Sequence, residues 1–338
     1  MSPAERAHRP MPFYEAAPFA ALWQLGSIRQ DIAPVFISGP PRSGTTWVLE
    51  TLERALGARR YWEPIKALQA RTPPVSAYYG GLRPLMPSAE QHPRLEPFLR
   101  DIFANAVPLS SGQTRNLSLG RLENLQRLVT APVTILKFTA AQRLVPWLGR
   151  TFDNRGFVLL RNPLALVASL KAMEPRDSDW SANEVPLDLP AELRARFAEV
   201  PLMQRETVAK IDEVIVRACL DTVMPLGDAE GPVMTPFVTY ESLYADNAIF
   251  DALIEVLGCS AIRRADVDAG KASSTTRAES NVVKGGDANQ SWKHRLTAGE
   301  IDRTLAAMQA FGIDFYSDAS ECDENKLVDR FGIKLVNR

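Results

Sequence analysis

Cysteine and histidine are scarce in these 338 residues, with three of each. Cys219, Cys259 and Cys322 stand far apart and in no paired spacing, which argues against a disulfide framework and against a zinc site. That thiol usage suits a reducing cytoplasm. His8, His92 and His294 are scattered singly, the pattern of structural or exposed side chains rather than of a ligand set. An excess of charge is missing too: 39 Lys plus Arg against 40 Asp plus Glu leave a net charge of −1, and nothing in that total points to bulk nucleic-acid binding. No apolar run approaches the ~20 residues that span a bilayer, and the N-terminus lacks the charged, apolar and small-residue succession of a signal peptide. The sequence therefore predicts a soluble, cytoplasmic protein, long enough to form one large α/β domain or two smaller ones.

What is present centres on one stretch, Val35 to Leu56, which reads VFISGPPRSGTTWVLETLERAL. A short apolar strand feeds a helix through a turn rich in Gly and Pro, so backbone N–H groups and the positive end of the helix dipole converge on one spot, an anion site. Gly39 to Thr46 fits the first half of a phosphate-binding loop, but Thr45 stands where a nucleoside triphosphatase carries Lys. The cation has moved inside the loop, to Arg42. Gly39 and Gly44 permit close backbone approach, Pro40 and Pro41 stiffen the turn, and Ser43, Thr45 and Thr46 add hydroxyl donors.

Pro41-Arg42-Ser43-Gly44-Thr45-Thr46-Trp47 after an apolar strand resembles the 5′-phosphosulfate loop of sulfotransferases that use 3′-phosphoadenosine 5′-phosphosulfate (PAPS). The resemblance implies that Arg42 stabilises the bridging oxygen, that Ser43, Gly44, Thr45 and Thr46 hold the phosphosulfate, and that Trp47 lies near the adenine. It also implies a three-layer α/β/α fold with a central, mostly parallel sheet, the P-loop NTPase-like fold of that family, as a single domain over 1–338. An Arg at this loop position occurs in the carbohydrate, tyrosylprotein and many bacterial branches.

A second match is Arg161-Asn162-Pro163 followed by Ser169. It resembles the family's 3′-phosphate motif, in which the Arg and a Ser eight residues later hold the 3′-phosphate. The physics agrees, because Pro163 suits the first turn of a helix and Ser169 lies about two turns further on, close to the same face. Lys137 ends the apolar run Val133-Thr134-Ile135-Leu136, as Arg161 ends Phe157-Val158-Leu159-Leu160, so both cations should point into the crevice at the carboxyl ends of the strands. Lys137 is read as an auxiliary contact to the sulfuryl group or the acceptor.

Three weaker matches complete the set. Glu63, in Tyr61-Trp62-Glu63-Pro64, resembles the Glu that carbohydrate and tyrosylprotein sulfotransferases use as general base. None of the three histidines follows the Lys137 strand, where cytosolic members carry a His base. Phe237-Val238-Thr239-Tyr240-Glu241-Ser242-Leu243 resembles the family's Tyr-Glu-Asp-Leu stretch, which implies that Tyr240 contacts the adenine. Val283-Lys284-Gly285, ahead of Trp292 and Thr297, resembles an Arg-Lys-Gly loop that closes over the 3′-phosphate; Lys284 and Gly285 carry over, Val283 departs, and Arg277 is a candidate substitute.

Around these motifs the sequence predicts an N-terminal arm and packing helix within 1–34. An acceptor-site insertion over 71–113 has a helix starting at Ser88, and the loop Glu174–Pro201 lies on the surface. Leu202–Val223 is helical, as is Glu241–Leu257. Thr297 and Glu300 form a capping box for the helix to Phe311, and 312–338 is a peripheral tail. The function expected is in-line transfer of a sulfuryl group from PAPS to a hydroxyl of a glycan, glycolipid or small-molecule alcohol or phenol, with no metal. Two rivals stand beside it: a P-loop kinase, for which Glu241 would be the acid holding Mg²⁺, and a non-catalytic nucleotide-binding module.

Overall fold

The computed structural model describes residues 13–28, 30, 32–64, 95–104, 122–139, 144–152, 155–173, 180–227, 233, 235–263, 265–270, 273, 287, 289–319 and 321–336. Lys284, Gly285, Arg277, Ser88 and most of the 71–113 insertion lie outside them. In chain order the main elements are α1 (Phe13–Ile28), β1 (Val35–Ser38), α2 (Thr45–Leu56), β2 (Arg59–Trp62), α3 (Leu95–Phe103), α4 (Leu122–Thr130) and β3 (Thr134–Phe138). Then follow α5 (Val145–Thr151), β4 (Gly156–Leu160), α6 (Pro163–Lys171), β5 (Glu184–Pro186), α7 (Ala191–Arg196), β6 (Thr207–Ala209) and α8 (Lys210–Val223). The chain closes with β7 (Phe237–Thr239), α9 (Tyr240–Ala245), α10 (Ala248–Val256), α11 (Ala298–Ala310) and α12 (Glu324–Phe331).

Short runs of β-branched and aromatic residues make the strands, and five of these pair in parallel in the order β2-β3-β1-β4-β7. Every residue of β1, β3, β4 and β7 is buried, as a parallel sheet covered on both faces requires. Side chains alternate between the faces. Val35, Ile37, Ile135, Phe157, Leu159 and Val238 pack with α2 and α10, while Val158, Leu160 and Phe237 pack with α6, α8 and α11. The sheet is thus the middle of three layers. From β1 the chain first goes to β2, beyond β3 on one side, and later crosses from β3 to β4 on the other side of β1. Such a reversal opens a crevice at the carboxyl ends of the central strands, where the turn after β1 lies.

Several local expectations are corrected. The stretch 174–201 is more than a surface loop: β5 and β6 pair as a two-stranded antiparallel ribbon, and Trp180, Leu187, Leu189 and Leu193 are buried. The helix expected from Leu202 starts only at Lys210, because Thr207–Ala209 is drawn into that ribbon. The helix expected over Glu241–Leu257 breaks at Asp246 and Asn247, where the Asp246 carboxylate accepts from the Ala248 N–H and starts α10 afresh. Within the 71–113 stretch, α3 buries Leu99 and Ile102, and Phe103 stacks on Phe152 at 4.0 Å. The stretch from Gly312 is core rather than periphery: Phe315, Tyr316, Leu327, Ile333 and Leu335 are buried, and Leu335 forms a parallel bridge to Phe237 at the edge of β7. The capping box of Thr297 and Glu300 on α11 stands as expected. Among the described residues no helix is long and apolar enough to cross a membrane.

Candidate active site

The turn between β1 and α2 takes its shape from two residues with left-handed backbone. Gly44, the N-cap of α2, has φ 101°, and Arg42 has φ 75°. A Cβ on Gly44 would lie 2.5 Å from Cδ2 of Tyr240, and one on Gly39 would lie 2.6 Å from the Leu159 carbonyl oxygen, so both glycines are required by contact. Gly44 has no side chain to cap the helix; Ser43 N–H donates to the Pro40 carbonyl at 3.0 Å within the turn, and the first α2 amide bonded back is Val48 N–H, to the Gly44 carbonyl at 3.1 Å. The amides of the first turn of α2 are therefore free of intrahelical partners, and no acidic residue stands beside them. The Ser43 hydroxyl is fully buried and makes no hydrogen bond, a donor held without an acceptor inside the loop.

The second motif meets the first here. Arg42 Nε donates to Ser169 Oγ at 2.9 Å, and Arg161 Nη1 donates to the Arg42 carbonyl at 3.0 Å. The guanidinium of Arg161 lies over the ring of Tyr240, 4.0 Å from its centroid. Trp47 packs edge-on against Tyr240 at 5.3 Å and donates Nε1 to the Ala269 carbonyl at 3.0 Å. Burial pushes the Tyr240 phenol up from its ordinary pKa, against the pull of Arg161, which keeps it neutral. Pro41, Thr45 and Thr46 complete the loop, with Thr45 buried. Arg42, Ser43, Trp47, Arg161, Ser169 and Tyr240 thus form one contiguous cluster. The two motifs, more than a hundred residues apart in the chain, are thus in direct contact.

Glu63 and Lys137 form a second cluster along the same strand ends. Lys137 pairs in register with Ile37 on one side and with Trp62 on the other, so it stands one strand, about 4.8 Å, from the strand that feeds the loop. Its Nζ donates to Glu63 Oε1 at 3.3 Å and sits 3.7 Å from the centroid of the Trp62 ring. Glu63 also accepts from the Thr139 N–H at 3.0 Å and from the Thr139 hydroxyl. Three donors therefore engage its two carboxylate oxygens. Glu63 has φ 49°, and among the described residues Arg42 and Glu63 are the two non-glycine residues with positive φ. Strained backbone of this kind collects where function holds it.

Thr139, Asn162 and Tyr316 were not singled out by sequence. Asn162 has a signal in hindsight, since an Asn before Pro at a helix start is an N-cap pattern, and its Oδ1 does accept from Leu164 N–H at 2.9 Å. Thr139 follows Lys137 by two residues and has no signal of its own; it matters because Glu63 arrives from β2. Glu241 is committed elsewhere than a metal: Asn162 N–H donates to it at 3.0 Å and Tyr316 OH at 3.2 Å, and burial pushes its carboxyl up. Among the described residues no three His, Cys, Asp or Glu side chains cluster as a cation site. Set against models of known protein families and against curated proteins, the sequence matches none.

Proposed function

We propose that this chain is a PAPS-dependent sulfotransferase of the P-loop-like fold, moving a sulfuryl group to a hydroxyl of a glycan, glycolipid or small-molecule alcohol or phenol. The observation that carries the reading is the meeting of two motifs more than a hundred residues apart, Arg42 with Ser169 and Arg161 with the Arg42 carbonyl. The residues fit the donor. An uncapped helix N-terminus, the partnerless Ser43 hydroxyl and Arg42 suit a terminal phosphosulfate, Arg161 and Ser169 suit a 3′-phosphate, and Trp47 with Tyr240 suit a purine.

Bound PAPS would supply an activated sulfuryl group with adenosine 3′,5′-bisphosphate as leaving group. Glu63 takes the proton of the acceptor hydroxyl while that oxygen bonds to sulfur and the bond from sulfur to the 5′-phosphate oxygen breaks. Lys137 and Arg42, with the amides of the loop, stabilise negative charge on the sulfuryl oxygens and the departing phosphate, each donor contributing roughly 3 kcal/mol. The kinase reading is weakened by Glu241, whose two oxygens are engaged by Asn162 and Tyr316. The non-catalytic reading has no use for Lys137 paired to Glu63 one strand from the loop.

The test is incubation with labelled PAPS and an extract of the source organism, alongside nucleotide-binding measurements. Transfer of label to a hydroxyl is expected, with turnover reduced at least ~100-fold in Arg42→Ala. Arg161→Ala should erase the preference for a nucleotide bearing a 3′-phosphate. No transfer, together with equal affinity for nucleotides with and without that phosphate, ends the proposal.

A further inference from the structure

Behind Arg161 and Tyr240 lies a buried polar hub to which the far end of the chain contributes. Asn162, directly after Arg161, gives its N–H to Glu241, directly after Tyr240, at 3.0 Å. The other oxygen of Glu241 accepts from Tyr316 OH at 3.2 Å. The Asn162 side chain faces both ways: Oδ1 caps α6, the helix that carries Ser169, and Nδ2 donates to the carbonyls of Ser317 and Ala319 at 3.1 Å each. Burial, then the neighbouring Glu241, holds the Tyr316 phenol well above its usual pKa, so it remains a donor. From the same C-terminal stretch, Glu324 accepts from the hydroxyls of Ser242 and Thr239, on either side of Tyr240 and Glu241.

A carboxylate buried this deeply costs stability even when its oxygens are satisfied, and an apolar side chain of equal size would pack without that cost. Here its hydrogen bonds tie together the residues adjoining Arg161 and Tyr240, whose contact is a guanidinium lying over a ring at 4.0 Å. We infer that Tyr316, acting through Glu241 and Asn162, is a positioning residue that sets Arg161 for recognition of a nucleotide 3′-phosphate. The inference rests on the donor assignment proposed above.

Binding of adenosine 3′,5′-bisphosphate and of adenosine 5′-monophosphate to the full chain, measured by calorimetry, tests it in wild type, Tyr316→Phe and Glu241→Gln. Phenylalanine keeps the ring of Tyr316 and removes only its hydroxyl, and with it the bonds to Glu241 and Cys322. Glutamine keeps an acceptor for Asn162 N–H and an amide toward which the Tyr316 hydroxyl can turn as acceptor. Wild type should prefer the bisphosphate; Tyr316→Phe should lower that preference about tenfold, leaving the 5′-monophosphate within about twofold, and Glu241→Gln should retain most of it. A purely structural role would lower the thermal midpoint and weaken both nucleotides alike, which overturns the inference. Wild type without any preference overturns the donor assignment and this inference with it. A wild-type preference that Tyr316→Phe leaves unchanged overturns this inference alone. Should Tyr316→Phe not fold, Glu241→Asp, shorter by one methylene, takes its place under the same criteria.

Discussion

Arg42 and Glu63 share a backbone conformation that L-residues with a Cβ rarely adopt, with φ of 75° and 49°. For Arg42 the cost of the left-handed region is of order 1 kcal/mol, so Arg42→Gly should be more stable than Arg42→Ala by up to about that amount, the reverse of the order at ordinary positions. Chemical denaturation of the two variants decides it, and an Ala variant as stable as the Gly variant would show that the loop relaxes once the guanidinium is gone. At Glu63 the neighbour to test is Thr139. Thr139→Val removes one hydroxyl donor, keeps the backbone donor and preserves volume. Turnover on whichever hydroxyl acceptor the labelled-donor assay finds should fall about tenfold with nucleotide affinity unchanged. Equal turnover would mean that Lys137 and the Thr139 amide orient Glu63 without it. The residues of the loop were legible in sequence because one contiguous string carries them. Thr139 was not, because its role exists only once β2 and β3 lie side by side.

At the scale of the element, α2 has a polar face at its far end that the loop does not need. Glu53 is buried beside Arg60, whose Nε lies 3.1 Å away, and burial raises the Glu53 carboxyl from 4.5 to about 7 in spite of that partner. The folded state therefore binds this proton more tightly than the unfolded chain does. The stability it contributes is complete below about pH 4.5 and is lost as pH rises through about 7. The shift corresponds to roughly 3 kcal/mol. Glu53→Gln should remove this dependence, so that the advantage of wild type over the variant shrinks between pH 4.5 and 7 in denaturant titrations; parallel curves for the two proteins would contradict it. Element boundaries show what local pattern misses. β2 reads Arg-Arg-Tyr-Trp, and its Arg59 is buried. It donates to the Trp23 and Leu128 carbonyls at 2.8 Å and to Ser27 and Thr134, and its guanidinium lies 3.7 Å from the centroid of the Trp23 ring. α1, α4 and the edge of the sheet are joined by that one side chain, and no periodicity announces it.

For the whole molecule, the decisive feature is that the last stretch of chain returns to the sheet. Phe237 N–H donates to the Lys334 carbonyl at 2.8 Å, Val336 N–H donates to the Phe237 carbonyl at 2.9 Å, and Leu335 is buried in the core that also holds α8 and α11. Leu335→Ala should cost about 3 kcal/mol, read from the denaturant midpoint, as a deeply buried leucine does. A loss under about 0.5 kcal/mol, the size of an exposed substitution, would show that the terminus is not part of the cooperative unit.

The sequence by itself determined the strand, turn and helix from Val35 to Leu56, the two cationic strand ends, the N-terminus of α6 and the capping box of α11. These are contiguous patterns whose physics is local: amide direction, glycine contact, proline at a helix start. Only the tertiary structure decided that Arg42 reaches Ser169, that Glu63 is held between Lys137 and Thr139, and that Tyr316 stands behind Glu241. These contacts are fixed by the strand order β2-β3-β1-β4-β7 and by burial of the C-terminal stretch. Both are set by the summed packing of distant apolar surfaces, which no window of neighbouring residues records.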